Sequence, residues 1–171
     1  NRWMANFIAA ETERLAGVRP DVDSLSGQMA SMMADASAER LVPAMDGAGV
    51  AKACVFTVDG GLLSPVEPRV SIEDQNHMVA EAAKRFPGRL IPFFAVDPRR
   101  PHGLKMFERA VEDWNMRGLK LYPPMGFFPQ DAACHPYYQK CVEYGIPVLF
   151  HTGGTVPPPM KARCSLPIYI D

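Results

Sequence analysis

Apolar positions along the chain alternate between two kinds of block. In the first kind they recur at helical spacing. Leu104, Phe107, Val111 and Trp114 fall at i, i+3, i+7 and i+10, which predicts a helix with one apolar face, closed by Gly118. Met78, Val79, Ala82, Ala83 and Phe86 form a second such face. Ser71-Ile72-Glu73-Asp74 opens it in the manner of a capping box, and Pro87-Gly88 stops it. A shorter helix is predicted from Ser37 onward, with Leu41, Val42 and Met45 inward and Gly47 or Gly49 at its end. Asp131 is expected to cap a further helix that carries Tyr137, Tyr138, Cys141 and Val142 and ends at Gly145.

The second kind of block is a continuous apolar run of strand length. Val50–Val58, Leu90–Val96, Leu119–Tyr122 and Ile146–Phe150 are of this kind. Pro92 counts against an ordinary central strand, because it has no N–H for the ladder. Helix and strand therefore alternate, which predicts an α/β fold with a parallel sheet and helical crossovers. A complete (β/α)8 barrel takes about 250 residues, and this chain has 171. The pattern reads as a partial TIM barrel, roughly its second to fifth strands, cut at both ends.

Residues 3–34 fit less well. They are rich in Met and Ala, with breaks at Gly17 and Pro20 and a second helix starting at Asp21 or Asp23. Met29, Met32 and Met33 read as core filler, or alternatively as a flexible cover over a pocket. The chain reads as one domain, 1–171, with 1–36 as a helical insertion or lid.

Composition narrows the function classes. A hydrophobic fraction of 47% supports a real core, and a net charge of -1 gives no attraction for nucleic acid or anionic membrane. No apolar run approaches bilayer length, and no secretory signal pattern opens the chain. The four cysteines, at 54, 134, 141 and 164, form no CxxC pair. They read as reduced structural thiols, Cys54 as a small core residue, in keeping with a cytoplasmic protein. GxGxxG, GxxxxGK[ST] and GxSxG are all missing, so nucleotide and serine-hydrolase chemistry lack their signatures.

Candidate chemistry gathers between Gly118 and Gly154. His151 ends the apolar run Ile146–Phe150, at the carboxyl end of a strand, where α/β folds place their sites. Alternation puts Lys120 and Tyr122 on one face of their strand and Leu119 and Leu121 on the other. With the leucines toward the helices, Lys120 points inward, where it either pairs with a carboxylate or serves a ligand. Pro123–Pro129 reads as a stiff apolar wall. Arg99 and Arg100, in a Pro-bracketed loop, are read as an anion grip or as a solvated loop. His102 is expected to open the next helix, and His77 and His135 to lie on helix surfaces.

GLKLYPPMGFFPQD, CVEYG and IPVLFHTGG, together with LVPAMDGAGVAKACVF, RFPGRLIPFFAVDPRRP and LPIYID, resemble the amidohydrolase-related family. The branch resembled is that of the metal-dependent TIM-barrel hydrolases and decarboxylases that includes aminocarboxymuconate semialdehyde decarboxylase-like proteins. The resemblance covers about residues 37–171. It implies a divalent metal, usually zinc, at the carboxyl-terminal rim. Its ligands would be an HxH pair ending the first strand, a His ending the fifth and an Asp ending the last, with a sixth-strand His assisting proton transfer. Only the fifth-strand ligand can be matched here, as His151; the sequence contains no HxH. Some related barrels carry a carboxylated bridging lysine on the fourth strand, where Lys120 stands. The closer branch does not use that bridge, so Lys120 is not assigned as a ligand. Arg99, Lys120 and Tyr122 are expected to hold a small carboxylated substrate. The competing reading is a non-catalytic partial barrel that forms a homodimer through its open sheet edges, with His151 structural.

Overall fold

The computed structural model describes residues 2–63, 68–153 and 159–170, the side chains of Trp3, Met33 and Leu63 aside. Pro65 and Gly154 lie outside the described residues. The chain divides into two compact units, Asn1–Asp35 and Ala36–Asp171. The first is a helix pair, α1 (Arg2–Ala16) and α2 (Val22–Met33). Gly17 ends α1 in the left-handed region, φ +73°. Asp21 caps α2 by accepting the Ser24 N–H, as its sequence position predicts. Met32 is exposed, so the expectation that it fills a core is not met.

The second unit runs α3 (Leu41–Gly47), β1 (Ala53–Val55), α4 (Ile72–Arg85), β2 (Leu90–Pro92), β3 (Phe94–Ala95), α5 (Gly103–Trp114), β4 (Leu119–Leu121), α6 (His135–Tyr144), β5 (Val148–Phe150). Every ladder is parallel: β1 with β2, β3 with β4, β4 with β5. Parallel strands with helical crossovers are consistent with part of a (β/α)8 barrel.

Only Phe93 separates β2 from β3, and there the strand changes partners. The Phe93 N–H donates to Val55, whereas the Phe94 N–H donates to Gly118. Pro92 fits this switch. Its carbonyl accepts from Arg117, so its missing N–H also faces β4, where that ladder has barely begun. Gly118 is needed here for space. A Cβ at this position would collide with the Phe93 ring. Asn115, at φ +58°, ends α5 in place of the expected Gly118.

Leu119 and Leu121 are fully buried in a cluster with Phe107 and Ala110 of α5 and Tyr137 and Cys141 of α6. The leucines face the helices, as alternation predicts. Other expectations need correction. β1 is three residues long rather than Val50–Val58, and Val50, Cys54, Phe56 and Val58 are exposed. Residues 53 and 55 use their backbone groups toward β2, and no strand among the described residues covers the opposite edge. Met78 is exposed, and α4 instead buries Ile72, Asn76, Ala80, Ala82 and Ala83. α6 begins at His135, because Asp131 closes a preceding turn by accepting the Phe128 N–H. Ser71 caps α4, and His102 stands at the N-cap of α5.

Candidate functional site

The carboxyl ends of the strands carry two groups of polar side chains. The first follows β1 and β3. Asp59 and Asp97 are 4% and 1% exposed, and both are saturated. Asp59 takes Arg100 in a bidentate pair at 2.6 and 2.9 Å, the Asp97 N–H at 2.9 Å and the Gly61 N–H at 3.2 Å. Asp97 takes Arg99 in a second bidentate pair at 2.8 and 2.6 Å. That hydrogen bonding pushes the Arg99 guanidinium above its usual pKa. Arg99 also donates to the carbonyls of Met125 at 3.0 Å and Gly126 at 3.2 Å. Most of its guanidinium N–H groups thus hold the rim, while its side chain stays 37% exposed.

Asn76, fully buried on α4, closes the gap where β1 ends early. Its side-chain amide accepts the Ala95 N–H at 2.7 Å and donates to the Ala95 carbonyl at 2.8 Å, in the place of a neighbouring strand.

The second group lies on β4 and just beyond β4 and β5. Lys120 is 5% exposed and forms no ion pair with any described residue. Its Nζ lies 5.1 Å from the centre of the Phe56 ring and 5.8 Å from that of Tyr122. Burial pushes its pKa down from 10.5 to about 8. Of the two roles left open for this lysine, the carboxylate pair is not found among the described residues. The His151 ring packs 4.4 Å from Tyr122, centre to centre. Its backbone N–H completes the β4 ladder on Leu121, while its Nε2 is buried without a hydrogen-bond partner among the described residues. Burial first, and then the positive charge of Lys120, hold the imidazole below its usual pKa. Burial raises that of Tyr122. Lys120, Tyr122 and His151 therefore come together, whereas Arg99 belongs to the other group.

A family model described as amidohydrolase matches residues 8–170. The chain belongs to the amidohydrolase family. No curated protein and no solved structure matches it. The amidohydrolase match takes in most of α1 as well as every later element, so it reaches further back than the resemblance from residue 37.

Amidohydrolases generally use divalent metals, and the residues can be tested for fit. A buried imidazole nitrogen without a partner suits a metal ligand. The rim carboxylates do not, because guanidinium and backbone N–H groups already occupy their oxygens. Among the described residues no three His, Cys, Asp or Glu side chains form a metal-binding group. A catalytic zinc needs about three protein ligands, so these residues offer one ligand and not a complete site.

Cys134, Cys141 and Cys164 are buried and free. Burial lifts the first two to pKa values of about 11, which makes them inert packing thiols at neutral pH. His77 and His135 lie on helix surfaces, as expected. Sequence reasoning missed Asp59, Asp97 and Asn76. The first two had a signal: each directly follows an apolar strand run, as Val58-Asp59 and Val96-Asp97, and Arg99 and Arg100 come just after Asp97. Asn76 had none, since a mid-helix Asn looks like surface.

No described helix is long and apolar enough to cross a membrane.

Proposed function

We propose that this amidohydrolase is a metal-dependent hydrolase or decarboxylase of the aminocarboxymuconate semialdehyde decarboxylase-like branch. Its substrate is a small carboxylated molecule, with an aromatic-derived acid the best fit. The observation that carries this is the pairing of an orphaned His151 Nε2 with an uncompensated Lys120 at one strand end. A buried cation without a counter-ion costs stability, and a carboxylate ligand would supply the missing charge. Phe56 and Tyr122 add ring faces on which a flat substrate can lie.

His151 offers Nε2 to the metal, for which zinc is the first candidate. A metal bound there would supply Lewis acidity and lower the pKa of its bound water. Lys120, with its pKa near 8 still mainly ammonium at neutral pH, orients the substrate carboxylate, and a bound carboxylate would raise that pKa again. Tyr122 holds its phenol proton at neutral pH and can donate a hydrogen bond. Pro123, Pro124, Met125 and Phe127 are buried and keep water from the wall beside them.

Metal analysis tests the reading. The complete gene product, made with zinc supplied, is expected to carry about one metal per chain, and His151→Ala to lose it. Equal metal content in the two proteins would end the assignment.

A second reading rests on the outer edge of β5. The backbone groups of Val148 and Phe150 face away from β4 and have no backbone partner among the described residues. A cavity of about 740 Å³ lies beside them, lined by Tyr138, Cys141 and Ile146 among others. Pairing of two chains there, with His151 structural, would give a metal-free dimer in sedimentation velocity.

A further inference from the structure

Arg99 and Arg100 are neighbours in sequence, yet they tie down different parts of the rim. Arg100 fixes the turn after β1 through Asp59. Arg99 reaches the opposite way, to the loop after β4. Its fork holds Asp97 on one side and the Met125 and Gly126 carbonyls on the other. Its guanidinium also lies 5.7 Å from the centre of the Phe127 ring.

That loop begins at Tyr122, whose ring packs on His151. It turns through hydrogen bonds from the Met125 N–H to Tyr122 and from the Gly126 N–H to Pro123. On its far side the Pro124 carbonyl accepts the Lys161 N–H at 2.8 Å. The Met125 side chain reaches Gly60, where even an added Cβ would stand 3.8 Å away. The loop thus spans from β4 to the turn after β1, and Arg99 is the cation that holds its carbonyls. Two carbonyls and a carboxylate satisfied by one planar group is a task lysine cannot copy.

We propose that Arg99 is a positioning residue: anchored on Asp97, it holds the Met125 and Gly126 carbonyls and so fixes the loop that presents Tyr122 against His151. The part of this that concerns ligand binding rests on the function proposed above; the part that concerns the loop does not.

Amide hydrogen exchange on the full chain, with Arg99→Lys and Arg99→Met, separates the two parts. Both variants are expected to speed exchange at Met125, Gly126 and Phe127 on the order of tenfold or more, since local opening governs such amides. The β4 and β5 amides should be unchanged. Arg99→Lys keeps the charge on Asp97, so it remains folded even if Arg99→Met does not. Benzoate serves as the carboxylate probe, titrated at two salt concentrations. Both variants should bind it several-fold more weakly, with the wild-type salt dependence retained because Lys120 still supplies the charge. Three results would overturn the proposal: loop protection intact in Arg99→Lys, loop protection intact in Arg99→Met, or benzoate binding lost without any loop change. The last would make Arg99 a direct anion contact. If the wild type itself ignores benzoate, the functional reading fails, and the exchange data alone decide the role of Arg99.

Discussion

The rim after β1 and β3 and the rim after β4 and β5 stand at the same level of the sheet and bury charge in opposite ways. In the first, every buried charge is matched: Asp59 with Arg100, Asp97 with Arg99. In the second, a buried lysine has only aromatic rings beside it and a buried imidazole nitrogen has no hydrogen-bond partner among the described residues. Saturated buried polar groups are what a fold needs to hold its loops. Unsatisfied ones lower stability, and they persist where a ligand completes them. Buried charge therefore means different things in the two places, and the contrast predicts opposite signs for mutations there.

The largest effect belongs to the saturated half. Asp59→Ala would remove the bidentate carboxylate that holds Arg100, whose side chain is only 12% exposed, and would free two N–H groups. Breaking a buried pair in this way costs about 3–5 kcal/mol. Urea unfolding should show most of the stability of the chain gone. A loss below about 1 kcal/mol, the size of a surface pair, would mean that the clasp is not the anchor described here.

Removing charge from the other half should do the reverse. Lys120→Met keeps the stem and deletes the ammonium. A fall in pKa from 10.5 to about 8 corresponds to roughly 3 kcal/mol against folding. The sign follows from proton counting. Below pH 8 the lysine is charged in both states, and the folded state bears the whole penalty. Between about 8 and 10.5 only the unfolded chain keeps the proton, so the wild type gains stability as pH rises. Lys120→Met should thus be the more stable protein at pH 7 and lose its lead by about pH 10.5. Denaturation curves at pH 7, 9 and 10.5 check this. A destabilised variant at pH 7 would show that Lys120 has a partner holding it in place.

Much of this contrast was legible in the sequence, though unevenly. Alternation in Leu119-Lys120-Leu121-Tyr122 was enough to set the leucines toward the helices and the lysine on the other face, because one strand side must meet apolar helices. His151 was readable from its place after an apolar run. The arginines were not. A Pro-bracketed Arg-Arg pair carries no trace of its partners, one of which is 41 residues away in Asp59. Asn76 was hidden for the same reason, since its task exists only because β1 stops short of β3. Overlong strand expectations share a cause too. An apolar run such as Val50–Val58 predicts burial, but the ladder extends only as far as a neighbour supplies hydrogen bonds.

The smallest expected effect concerns His151, and it is the sharpest, because the fold gains nothing evident from that nitrogen. A buried acceptor without a partner is unfavourable, and leucine has nearly the same bulk without it. His151→Leu should leave stability within about 1 kcal/mol of wild type at pH 7.5, or raise it. Acid should then separate the two proteins. The folded imidazole titrates below its usual value, so as pH falls under 6.5 the unfolded chain takes up the proton first, and the wild type loses stability that the leucine variant keeps. Midpoints of urea unfolding at pH 7.5 and pH 5 should therefore diverge in favour of the variant. If His151→Leu instead unfolds the protein at pH 7.5, the imidazole is a structural group after all, and the division of the rim into a holding half and a working half falls with it.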